Sequence, residues 1–157
     1  MKTRRYIAIA ALAAFLLDQL AKVYVLFGLN LLERYEIKVL PPFVTFRLAW
    51  NEGINFGLFS GAEARWVLIA IALILVAAIY IWVMREKPGR LGAISGGIMI
   101  GGALGNVLDR FVYGAVADFL NVSCCGISNP FSFNIADIAV FAGAAGLILF
   151  TGNKKAG

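Results

Sequence analysis

The sequence contains no histidine. That absence removes Ser-His-Asp and Cys-His nucleophile systems, and the paired histidines of an HExxH metalloprotease helix. Cysteine is almost absent as well. The two present, Cys124 and Cys125, are adjacent. They form no disulfide framework, and without a further thiol or imidazole they make a poor zinc site. They read as small apolar fillers. Charge is scarce: 15% of the 157 residues are Asp, Glu, Lys or Arg, against 61% hydrophobic. A soluble domain of this size has too little interior to hide that much apolar surface. Linkers rich in Pro, Gly or Ser are also lacking, so residues 1–157 read as a single membrane domain.

The apolar stretches are continuous runs rather than alternations, which points to helices and not to a barrel. The expected fold class is therefore an all-α integral membrane protein with four transmembrane helices, at about 6–29, 66–84, 91–113 and 133–150. The first run follows Lys2, Arg4 and Arg5. It is too long for the h-region of a cleaved signal peptide, so it reads as a retained helix. The basic residues gather at Lys2–Arg5, at Arg85, Lys87 and Arg90, and at Lys154 and Lys155. With four helices, all three clusters fall on one side, which the positive-inside rule makes the cytoplasm. The net charge of +5 is thus a matter of topology and not a nucleic-acid footprint. Between the first two helices, Phe43–Trp50 alternates with period two and is a strand candidate, part of a small outside sheet over about 38–60. Residues 114–132 form the second outside segment.

Polar residues inside the apolar runs are few and meet at one level. Asp18 and Lys22 are four apart and share a helix face. Counting roughly 1.5 Å per residue, Asp18 lies about 18 Å and Lys22 about 24 Å beyond Tyr6. Both fall in the outer half of the bilayer. Asn106 and Arg110 sit near the outer end of the third helix. Asp109 beside them is expected to pair with Arg110 or to face the headgroups. Asp118 lies just beyond that helix, and Asn134 and Asp137 open the fourth. Gly97, Gly101 and Gly105 make a small-xxx-small ridge for close helix packing. Ser95, towards the other end, reads as a helix-packing residue.

Two neighbouring carboxylates resist ionising together and so share a proton. The ionised one takes a proton from water while the protonated one polarises a carbonyl, which needs no metal, serine or histidine. From the residues alone this competes with a small proton-coupled exporter and with a non-catalytic assembly factor. An exporter would hold its carboxylate near the bilayer midplane. An assembly factor would depend on neither aspartate.

Five blocks carry a resemblance along essentially the whole chain: Asp18-Gln-Leu-Ala-Lys22, Asn51-Glu-Gly-Ile-Asn-Phe56, Gly101-Gly-Ala-Leu-Gly-Asn-Val-Leu-Asp-Arg110, Val116-Ala-Asp118 and Phe133-Asn-Ile-Ala-Asp137. In these the chain resembles the lipoprotein signal peptidases (signal peptidase II). The resemblance implies an aspartic endopeptidase of the bacterial inner membrane. It would remove the signal peptide from a diacylglyceryl-modified prolipoprotein, cutting just before the lipidated cysteine. Asp118 and Asp137 would be the catalytic dyad. Asp18, Lys22, Asn51, Gly53, Asn106, Arg110, Asn134 and Ala136 would bind substrate or shape the site. A periplasmic β-cradle and a short periplasmic helix, within Val116–Ser128, would complete the fold. The resemblance also implies no cofactor and no metal, membrane lipid and diacylated prolipoprotein as partners, a monomer, and an active site at the periplasmic face. One departure is Asn55, where the family commonly has alanine.

Overall fold

The computed structural model describes residues 2–53, 62–124 and 129–151. Asn55 and the aromatics Phe56 and Phe59 lie outside the described residues. Helix α1 (Lys2–Val23) continues into a π turn over Tyr24–Gly28. A single helical turn, α2 (Leu31–Arg34), follows. Strands β1 (Glu36–Leu40) and β2 (Val44–Asn51) come next. Helices α3 (Ala62–Glu86) and α4 (Gly89–Tyr113) precede β3 (Val116–Val122) and α5 (Ile135–Thr151). Among the described residues, three stretches are long and apolar enough to cross a bilayer: Lys2–Gly28, Ala64–Glu86 and Gly89–Tyr113. Helix α5 is apolar but shorter, at 17 residues. Large apolar side chains cover the outside of the helices. Ile74, Phe141 and Ile148 are 67–76% exposed, the surface expected of a protein solvated by lipid rather than water.

Helix α4 is the axis of the bundle, and glycine lets its neighbours approach. A β-carbon at Gly97 would lie 2.5 Å from the Ile7 carbonyl oxygen on α1. On the adjacent face, one at Gly102 would lie 2.5 Å from the Ala136 carbonyl oxygen on α5. Helix α5 returns the arrangement, with Gly143 against Met99 and Gly146 against Ser95. Ser95 itself donates to the Leu91 carbonyl at 2.9 Å, as a packing residue should. At this end Ile7, Val83, Ala93, Ile100 and Leu147 form an apolar core.

At the other end a three-stranded antiparallel sheet, ordered β1-β2-β3, lies over the helices. The expected strand at Phe43–Trp50 is β2. Its partner β3 (Val116–Val122) is a strand within the segment expected to hold a short helix, Val116–Ser128; residues 125–128 of that segment lie outside the described residues. The reason lies in the alternation of the segment. Ala117 and Phe119 join an apolar cluster with Val25, Leu26 and Leu31, which leaves Asp118 on the opposite face of the strand. Gly114, at φ 87°, caps α4 and turns the chain into β3. The segment ahead of α5 is then pinned to β3, because the Phe133 carbonyl accepts from the N–H groups of Phe119 and Leu120 and the Phe133 N–H donates back to Leu120. Cys124, read as an apolar filler, is disulfide-bonded.

Candidate active site

The pinning of Phe133 to β3 brings the last turn of the loop, Asn134, against Asp118. The Asn134 amide donates to Asp118 Oδ1 at 2.6 Å and to Asn106 Oδ1 at 3.2 Å. Its own Oδ1 accepts from the Asp137 N–H at 2.9 Å, while Asp137 Oδ2 accepts from the Asn134 N–H at 3.1 Å. This reciprocal pair is a capping box at the start of α5. It fixes Asp137 in the first helical turn, where the helix dipole favours negative charge. Asn106, on α4, completes the link by donating to Asp137 Oδ1 at 3.0 Å. From β2, Asn51 donates to Asp118 Oδ2 at 3.0 Å. Two carboxylates from a strand and a helix are thus joined through Asn134 and Asn106, with Asn51 holding Asp118 as well.

Lys22 supports the link from below. Its ammonium lies 3.4 Å from Asn106 Oδ1 and pairs with Asp18 at 2.8 Å, as the four-residue spacing predicts. Asp18 in turn accepts from the Ala136 N–H at 2.9 Å. Arg110 donates to the Asn106 carbonyl at 3.3 Å, and its charge is felt by Asp118, Asp109 and Asp137. Gly53, at φ 92°, leaves room beside it: a β-carbon there would meet Leu68 Cδ1 at 2.6 Å and Arg110 Nη2 at 3.5 Å. All ten residues singled out in the sequence therefore come together. One expectation fails. Asp109 neither pairs with Arg110 nor faces headgroups. It is fully buried and pairs with Lys22 at 2.7 Å. The signal was there: Asp109 continues the Gly97, Gly101, Gly105 row that faces α1.

Burial pushes the Asp118 carboxyl up to about 6, and the nearby charge of Asp137 adds to the rise. The hydrogen bonds from Asn51 and Asn134 and the charge of Lys22 oppose it. Asp118 thus keeps its proton to about pH 6, well above the range of an ordinary aspartate. Two openings reach the pair. A cleft of about 380 Å³, lined by Trp50, Asn51, Glu52, Asp118 and Phe131, opens on the sheet side. An apolar groove of about 470 Å³, lined by Phe133, Asp137, Ile138, Phe141 and Ala142, opens along the outside of α5.

Residues 10–152 match the family model described as signal peptidase (SPase) II. The chain belongs to the signal peptidase II family. A lipoprotein signal peptidase of Methylorubrum extorquens (strain PA1) is 43% identical over 143 residues, covering 90% of this chain and 82% of that protein. One from Rhodopseudomonas palustris (strain ATCC BAA-98 / CGA009) is 40% identical over 145 residues, covering 89% and 87%. A solved bacterial membrane enzyme superposes with a TM-score of 0.75 at 25% identity, covering 96% of this chain and 92% of its own. A second, at 23% identity and TM-score 0.78, shares the fold. The family's aspartic peptidase chemistry accords with a site built on two carboxylates.

Proposed function

We propose that Asp118 and Asp137 are the catalytic dyad of this aspartic peptidase, which removes signal peptides from prolipoproteins. The observation that carries the assignment is the asparagine bridge. Asn134 bonds Asp118 and caps Asp137, Asn106 donates to Asp137, and Asn51 donates to Asp118, from three separate elements. Asp137, held at a helix N-terminus, takes a proton from the attacking water. Asp118, in the drier position, holds its proton and hydrogen-bonds the scissile carbonyl, stabilising the charge that develops on its oxygen. The proton taken by Asp137 passes to the leaving amine, which restores the pair.

The two openings suit the two halves of a lipidated substrate. The polar cleft over Asp118 accepts the extended peptide, and the apolar groove on α5 accepts the diacylglyceryl chains of the modified cysteine. Cleavage then falls on the N-terminal side of that cysteine, between a cleft lined by Asp118 and a groove lined by Asp137. The remaining eight residues, Asp18, Lys22, Asn51, Gly53, Asn106, Arg110, Asn134 and Ala136, shape the site. We read α5 as a fourth span and place both termini in the cytoplasm. The chain is then one membrane domain in the inner membrane, acting as a monomer with its dyad at the periplasmic face. The basic clusters at Lys2–Arg5 and at Arg85–Arg90 support that orientation.

Purified Asp118→Asn and Asp137→Asn, given a diacylated prolipoprotein, test the dyad. Both are expected to lose turnover by about 10³-fold or more, because each removes a proton-transfer group. Wild-type cleavage by either would remove the assignment.

A further inference from the structure

Three charged side chains beneath the dyad are buried and take no part in the chemistry described above. Asp18 and Asp109 are 0% exposed and Lys22 is 2% exposed. One ammonium serves both acids: Lys22 Nζ lies 2.8 Å from Asp18 Oδ2 and 2.7 Å from Asp109 Oδ2. The Gln19 amide bridges the same two carboxylates, donating to Asp18 Oδ2 at 3.0 Å and to Asp109 Oδ1 at 3.1 Å. Each acid then holds one backbone N–H. Asp109 Oδ2 accepts from Ala117 at 3.1 Å, and Asp18 Oδ1 accepts from Ala136 at 2.9 Å. Ala117 immediately precedes Asp118, and Ala136 immediately precedes Asp137.

We propose that Lys22, Asp18 and Asp109 form a positioning clamp for the dyad, with Asp109 setting the backbone that presents Asp118 and Asp18 the backbone that presents Asp137. The proposal rests on the dyad reading and adds Asp109 to the working parts. Stability alone is a weak reason for such a cluster, since buried ion pairs replaced by well-packed apolar groups are often no less stable. Placement is a better one. The strand and helix that carry the dyad are joined directly at Phe133 and Asn134, and their placement depends also on what holds the backbone at Ala117 and Ala136. The clamp ties both to α1 and α4 through a single cation. The fold makes room for it at Gly105, where a β-carbon would lie 2.5 Å from Asp18 Oδ2.

The test compares kcat and KM per folded enzyme for Asp109→Ala, Asp109→Asn and a protein with lactate in place of Ala117. The lactate replaces only the Ala117 N–H with an ester oxygen and leaves no buried charge unpaired, so it serves even if the Asp109 variants fold poorly. Val83→Ala, in the apolar core at the far end, serves as a stability control. A loosened catalytic group is expected to cost about 10²-fold in kcat. The lactate protein and Asp109→Ala should show that loss with KM within about twofold of wild type. Asp109→Asn, which keeps an acceptor oxygen, should recover part of it, and Val83→Ala should keep wild-type kcat. Wild-type kcat in the lactate protein overturns the clamp. So does Asp109→Asn that is no better than Asp109→Ala, with both losses matching that of Val83→Ala at equal Tm. Asp118→Asn is assayed alongside. If it is active, the dyad reading fails; if it is inactive while the lactate protein is unimpaired, only the clamp fails.

Discussion

Near the start of α1, Ile7 packs against Val83, Ala93, Ile100 and Leu147 in an apolar core. About three turns further along, α1 and α4 meet again, and there Asp18 and Lys22 face Asp109 and Asn106. The glycine row is common to both ends: Gly97 brings α4 onto the Ile7 backbone, and Gly105 brings it onto the Asp18 carboxylate. One glycine row thus faces an oily core at one end and a charged network at the other. The apolar end contributes to stability in proportion to the surface it buries. The polar end gains little of that kind, because its charges give up water to be there. What the polar end gains is fixed geometry around two acids.

Substitutions should therefore separate by end. After the dyad itself, the largest effect is expected from Asn134→Ala. It removes the hydrogen bond to Asp118, the bridge to Asn106 and the cap of α5 at once. Turnover should fall by about 10²-fold or more, as expected for misplaced catalytic groups, while the cap itself contributes about 1 kcal/mol of stability. Steady-state kinetics with parallel melting curves would show this. Val83→Ala should do the reverse. Deleting two buried methyl groups should cost about 1–3 kcal/mol and leave turnover per folded molecule unchanged. A large kinetic defect there would break the comparison between the two ends.

A smaller effect concerns pH. The Asn51 amide hydrogen-bonds the ionised form of Asp118 and opposes its upward shift. Asn51→Ala should therefore move the alkaline limb of kcat/KM to higher pH, by up to about one unit. A limb that stays put or moves down would show that this amide does not set the Asp118 carboxyl. Stability follows with its own sign. The folded Asp118 carboxyl binds its proton more tightly than an ordinary aspartate, which titrates near 3.8. Its contribution is thus greatest below about pH 4 and is lost as pH rises through about 6. Asp118→Asn should gain in Tm relative to wild type across that interval. A constant difference in Tm would contradict it.

Much of this was legible from the residues, and what was not has a physical reason. The Asp18–Lys22 pair follows from helical spacing, and β2 from the alternation at Phe43–Trp50. The level at which Asn106, Arg110, Asn134 and Asp137 meet follows from counting residues across a bilayer. The resemblance implies a short helix within Val116–Ser128, and Val116–Val122 is a strand because Ala117 and Phe119 face the apolar cluster while Asp118 faces away. Asp109 was misplaced because its neighbour Arg110 offered a local partner, whereas its position is set by the glycine row that it extends. The bonds from Asp18 to Ala136 and from Asp109 to Ala117 leave no mark in sequence. Each joins a side chain to a backbone N–H, a group that every residue except proline carries.

The central claim is that Asp118 and Asp137 act as one proton-sharing pair, and single-turnover cleavage measured across pH tests it most directly. The account predicts a bell for both kcat/KM and kcat. Its alkaline limb in kcat/KM should lie near the Asp118 value of about 6. In kcat the limb should lie higher, because seating the peptide in the cleft removes further water from Asp118. A profile that is flat while bond cleavage limits the rate would contradict it.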